Sequence, residues 1–164
     1  MHRQPGMTSP RRPSVLAAVA LGLLACLVAA CSSPQVVPAA GPLMTVEIRG
    51  GECVSAPCGT FVTVERDGRV HQATKPPNDL GTIPAGQLAA LDAAIASTDF
   101  AAMKRHLFTG QCPTAFDGQE IIFEFGAPGG TQRISSCEVA VDYGSPLFMA
   151  VSTALGPFVP LPTT

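Results

Sequence analysis

Apolar and polar residues alternate strictly in two stretches of this chain. Met44, Val46 and Ile48 interleave with Thr45, Glu47 and Arg49, and Ile121, Phe123 and Phe125 share one side of the segment from Glu120 to Phe125. A period of two sends successive side chains to opposite faces, so both stretches read as half-buried strands. Thr60 to Arg66 is rich in β-branched residues, and Asp67-Gly68 then turns the chain into Arg69-Val70-His71-Gln72, the signature of a hairpin. Ala127-Pro128-Gly129-Gly130 makes a second turn, with a return strand expected over Thr131 to Val139. Lys75 to Asp79, with its paired prolines, reads as a loop.

Two other stretches change period. Leu88, Leu91 and Ile95 fall on one helical face behind Pro84, and that helix is expected to run to about Ser97. Asp99 suits the cap of a short second turn carrying Phe100 and Met103, and Leu107 to Gly118 is irregular. Ser145-Pro146 opens a last helix, with Phe148, Val151 and Leu155 on one face and Gly156-Pro157 as its stop. Hairpins joined by tight turns imply an antiparallel sheet, and amphipathic helices bury their stripes against it. The expectation is a small α+β domain over residues 45–158: about five strands in two hairpins, two helices packed on one face, and a tail at 159–164.

The first 30 residues follow a different logic. Arg3, Arg11 and Arg12 form a positive head, and the 16 residues from Val15 to Ala30 are apolar apart from Cys26. That run is shorter than the roughly 20 residues a membrane-spanning helix needs, and charge, apolar core and small residues follow in the order of a signal peptide. Val28-Ala29-Ala30-Cys31 resembles a bacterial lipobox: an aliphatic residue, two small ones, then a cysteine. The resemblance implies cleavage before Cys31 and a thioether from its thiol to an acylated glyceride. It also implies a mature protein held by that lipid anchor on the outer face of the cell membrane. Leu23-Leu24-Ala25-Cys26 is a poorer second box, because it would leave Leu27 and Val28 beside the anchor. A conventional signal peptide with Cys31 incidental is the alternative. The Arg11-Arg12 pair resembles a twin-arginine signal, but Pro13-Ser14 stands where that signal has a hydrophobic pair, which leaves the export route open. Residues 31–44, rich in Pro, Ala and Ser, read as an extended spacer.

Charge narrows the partners. The whole chain has 10 basic and 12 acidic residues; loss of residues 1–30 removes three arginines and no acid, leaving a net charge of −5. Such a surface has no surplus cations to neutralise phosphates, so no nucleic acid is expected among its partners. A partner in the envelope, protein or small molecule, is the expectation.

Four cysteines follow the leader: Cys53, Cys58, Cys112 and Cys137. Three pairings are open to them, and outside the cytoplasm an even set reads as disulfides. Cys53 with Cys58 brackets a short loop, and Cys112 with Cys137 ties the irregular segment to a strand; that pairing is the one expected. Structural zinc prefers close pairs, often two residues apart, whereas these spacings are four and 24 residues, so no metal is expected. Cys53 to Cys58 also lacks the Cys-x-x-Cys form at a helix start that redox catalysis uses.

Candidate catalytic residues are few, and no catalysis and no cofactor are expected. Only His71 and His106 remain after the leader, and both are expected to be solvated; a hydrolase would need one of them beside a carboxylate or serine in a cleft. No serine elbow, zincin motif or glycine-rich phosphate loop is present in the sequence. Glu120 and Glu124 share a face, but about 13 Å of strand separates them, too far for a glycosidase pair. The best functional candidates are the loops Gly50 to Gly59 and His106 to Gly118, since binding residues concentrate on loops held by a rigid scaffold. An inhibitor or accessory protein that presents the Cys53–Cys58 loop to a secreted enzyme is the second expectation.

The run Gly51-Glu52-Cys53-Val54-Ser55-Ala56-Pro57-Cys58-Gly59-Thr60-Phe61-Val62-Thr63-Val64-Glu65-Arg66-Asp67-Gly68-Arg69-Val70 resembles the opening of small exported bacterial domains of unknown function. Asp99-Phe100 falls where those domains end a helix. Pro57 precedes Cys58 here, whereas in that group the proline follows the cysteine. The resemblance implies an exported α+β fold and supplies no activity.

Overall fold

The computed structural model describes residues 41–51 and 59–162. The leader, Cys31, most of the spacer, Cys53, Cys58 and the last two residues lie outside the described residues.

An antiparallel six-stranded open sheet carries three α-helices, an α+β architecture. In chain order the strands are β1 (Met44–Gly50), β2 (Thr60–Val64), β3 (Arg69–Gln72), β4 (Asn78–Thr82), β5 (Gln119–Ala127) and β6 (Gly130–Ser135). The helices are α1 (Ala85–Ser97), α2 (Phe100–Lys104) and α3 (Pro146–Leu155), and a 3-10 turn spans Pro113–Phe116. The sheet order is β4-β3-β2-β1-β5-β6. β1 therefore sits between the two hairpins, and the chain crosses the sheet from β4 to β5 through α1 and α2.

The alternation reads out directly in the register. Met44 lies opposite Val64 and Phe125, Val46 opposite Val62 and Phe123, and Ile48 opposite Ile121. With Val70 and Ile134 these residues form one apolar sheet face, buried against Leu91, Ile95, Phe100, Leu147, Phe148, Val151 and Leu155 of the helices. α1 packs on α3 and reaches β5. Asp99 caps α2 as its position suggests, accepting from the Ala102 N–H at 2.8 Å. Gly156, at the end of α3, keeps right-handed helical angles, so Pro157, which cannot donate to the helix ladder, is what stops it.

Four details depart from the sequence reading. Asn78 and Asp79, expected in a loop, begin the edge strand β4, which pairs with β3 across a register shift at Val70/His71. This raises the strand count from about five to six. β6 ends at Ser135, not Val139, because the chain turns through Ser136–Glu138 before Val139 makes an isolated bridge to Leu107. The short α2 makes a third helix beside the two expected. Finally, the outer face of the sheet is not uniformly solvated: Ile122 is 3% exposed there, opposite Glu47 and Ser135.

Phe123 should carry much of the fold's stability. Phe123→Ala is expected to cost about 3–5 kcal/mol in urea unfolding, whereas Phe61→Ala, on the outer face and 38% exposed, should cost about 1–2 kcal/mol. Equal losses would mean that the sheet face described as the core is not the one that drives folding.

Candidate functional site

The described base of the first loop singled out in the sequence, Gly50–Gly51, meets the end of the second, Gly118, at one end of the sheet. β1 finishes at Gly50 beside the start of β5, and the Gly51 N–H donates to the Gly118 carbonyl at 2.9 Å. Gly50 has φ +76°, and a Cβ there would lie 2.6 Å from the Gly118 oxygen, so this junction requires glycine on both counts. Pro113–Phe116 coils into the 3-10 turn, which Asp117 ends in the left-handed conformation at φ 57°. The Gly118 N–H closes the turn by donating to the Pro113 carbonyl at 2.8 Å.

Cys112 and Cys137 are joined by a disulfide, with their Cα atoms 5.1 Å apart. The pairing is the one expected, but Cys137 stands in the turn after β6 and not in a strand. The Phe108 N–H donates to the Glu138 carbonyl at 3.0 Å, and the Ala140 N–H donates to the His106 carbonyl at 2.8 Å. Arg133 fixes the turn from the sheet side, reaching both Glu138 carboxylate oxygens at 2.9 Å. On this anchored segment Phe116 and Leu107 are 69% and 66% exposed. An ordered loop that leaves two large apolar side chains in water is a surface suited to contact.

The two histidines occupy different settings. His71 is not simply solvated: its Nε2 lies 2.9 Å from a Glu65 carboxylate oxygen, and its Nδ1 is buried without a partner. The Asp67-Gly68 turn folds Glu65 back beside His71, and Asp67 serves that turn by accepting from the Arg69 N–H at 3.1 Å and from its guanidinium at 2.8 Å. The Arg69 guanidinium holds the Asp67 carboxyl below the usual carboxylate range. Glu120 and Glu124 stand on the same outer face; the first accepts from the Ser135 hydroxyl and the second, at 3.5 Å, from that of Thr45.

His106 is exposed at the end of α2 and lines a cavity of about 430 Å³ with Ala102, Met103, Ala140, Asp142 and Ser145. A neighbouring cavity of about 400 Å³ shares Ala140 and Asp142 and is lined further by Phe108, Ser136, Val139, Val141 and Tyr143. Asp142, which has no evident partner in the sequence, accepts from the Gly144 N–H at 2.9 Å and so shapes the loop that begins α3. Burial raises the Tyr143 hydroxyl above its ordinary range. The two requirements for a histidine hydrolase are divided: His71 has a carboxylate neighbour but lines neither cavity, and His106 lines a cavity without a hydrogen bond to Asp142 or Ser145. Among the described residues no group of three or more His, Cys, Asp or Glu side chains is placed to hold a metal ion.

The grouping of His106 with Asp142 and Ser145 is not readable from the sequence, because more than thirty positions separate the two segments. The only local signal was the Asp142-Tyr143-Gly144-Ser145-Pro146 run, which reads as a helix start and not as a cavity wall.

No protein-family description, curated protein or solved structure matches this chain.

Replacing Cys112 and Cys137 together by serine should lower stability by about 3.5 kcal/mol, from the chain entropy of a 25-residue closure. Amide exchange should then quicken across residues 107–118 while β1 and β5 stay protected relative to global unfolding. Unchanged exchange in that segment would show that the bridge is not what orders it.

Proposed function

We propose that this chain is an exported, lipid-anchored binding module of the bacterial cell envelope that performs no catalysis. It recognises its partner with the end of the sheet where the Gly50 and His106–Gly118 segments meet. The observation that carries this reading is the Cys112–Cys137 bridge. Stable disulfides belong to oxidising compartments, and here the bridge orders the segment that exposes Phe116 and Leu107. The leader and the Val28-Ala29-Ala30-Cys31 box supply the address, and two acyl chains on Cys31 give the stable anchorage that one does not.

Chain direction supports the presentation. The described chain enters β1 at Met44, whereas the segment stapled by Cys112–Cys137 lies at the other end, beyond Gly50. Seven strand residues set these ends roughly 20 Å apart. The recognition end is thus opposite the end at which the described chain enters β1.

The second reading, an inhibitor or accessory protein for a secreted enzyme, draws on the same junction. The Gly51–Gly118 hydrogen bond seats the base of the loop bearing Cys53 and Cys58 beside the stapled segment.

Fractionation in a host that processes lipoproteins tests the address. The native chain should sediment with membranes and give an intact mass for a diacylglyceryl chain starting at Cys31. Cys31→Ala should release it into the soluble fraction. Native protein of unmodified mass in the soluble fraction would sink the proposal. The recognition end is tested by Leu107→Ser with Phe116→Ser, which should keep the melting temperature and lose co-purification of envelope partners; undiminished co-purification would remove the loops from that role.

A further inference from the structure

We propose that the cavity between α2 and the segment Val139–Ser145 binds a small uncharged or cationic amphiphile, an apolar body ending in an alcohol or amine. The site adjoins the recognition end, with which it shares His106. Its volume of about 430 Å³ lies in the range of small-molecule sites. Ala102, Met103 and Ala140 supply apolar surface, while His106, Asp142 and Ser145 supply a compact polar group. Ser145 is the informative residue. A serine before the first turn of a helix ordinarily accepts from a free backbone N–H of that turn. The Ser145 side chain makes no such capping bond, and its Oγ is buried without any partner. A buried hydroxyl with no hydrogen bond is costly, so a polar head entering the cavity gains by satisfying it. The Asp142 carboxylate, turned by its bond from the Gly144 N–H, disfavours an anionic head and favours a donor. The backbone bond from the Ala140 N–H to the His106 carbonyl and the disulfide two residues before Val139 hold the walls in place before any ligand arrives, which lowers the ordering cost of binding.

Three probes with one apolar body separate the head groups: 2-phenylethanol, 2-phenylethylamine and phenylacetate, titrated into the full chain while the backbone amide signals are followed. The alcohol and the amine should shift the signals of His106, Asp142 and Ser145 at millimolar concentration, and phenylacetate should bind about tenfold more weakly. Ser145→Ala loses no cap and should weaken both binders about fivefold. Ala140→Leu fills the cavity from an exposed position; it should abolish the shifts while leaving the melting temperature unchanged. Equal response to all three probes, no response to any, or undiminished binding in Ala140→Leu would overturn the assignment.

Discussion

The structure depends on the aromatic seam along β5. A chain with eight phenylalanines, one tyrosine and no tryptophan places Phe123 and Phe125 on one face of a single strand. Their rings lie 6.0 Å apart and bring in three further elements. Phe100 of α2 meets Phe125 at 5.4 Å, and Phe148 of α3 meets Phe123 edge-on at 5.0 Å. Tyr143, on the loop before α3, meets Phe148 at 5.7 Å. Full burial of each such side chain contributes roughly 1.5–3 kcal/mol and a well-oriented ring pair about 0.5–1.5 kcal/mol more. Because β5 also pairs with both β1 and β6, the same residues that join the hairpins hold the helices and the cavity loop to the sheet.

That seam was legible because it obeys a period. Alternation marked β1 and β5, and the i, i+3, i+7 spacing of Leu88, Leu91 and Ile95 marked α1, since burial on one face leaves those patterns whatever the tertiary details. β4 was illegible for the complementary reason. Asn78-Asp79-Leu80-Gly81-Thr82 has neither alternation nor β propensity, and it pairs only because β3 offers an open edge. The end of β6 was misplaced because Ser135-Ser136-Cys137-Glu138 carries no glycine or proline to mark the turn in which Cys137 sits. Ile122 shows the limit of a two-face reading: it lies on the outer face with Glu120 and Glu124, yet it is 3% exposed, a burial that no single-strand pattern contains.

The candidate site divides along the same line. The stapled segment could be read from the sequence because four cysteines after the leader offer only three pairings, and Cys112 with Cys137 is one of them. His106 was visible as a residue, but its setting was not, because α2 and the loop before α3 come together only through the Phe100–Phe125 and Phe148–Tyr143 contacts of the core. His71 was misjudged as solvated because a hairpin turn, and not sequence spacing as such, returns Glu65 to its side. Groups that meet through tertiary packing leave no periodic trace.

One short segment links the two surfaces. Residues 137–142 contain the disulfide to Cys112, the Glu138 partner of Arg133, the backbone rungs to Phe108 and His106, and two cavity residues, Ala140 and Asp142. A segment fixed by bonds to a strand, a loop and a helix end has little conformational freedom left to lose. Both surfaces are therefore ordered before a partner arrives, and binding at either does not bear the entropy cost of fixing a loop. For the proposed binding module, with few aromatics, concentrating the Cys112–Cys137 cross-link and the long loop after α2 at one place secures a rigid surface without enlarging the core. The fold's stability rests on β5, and the stiffness of the two proposed binding surfaces rests on this segment.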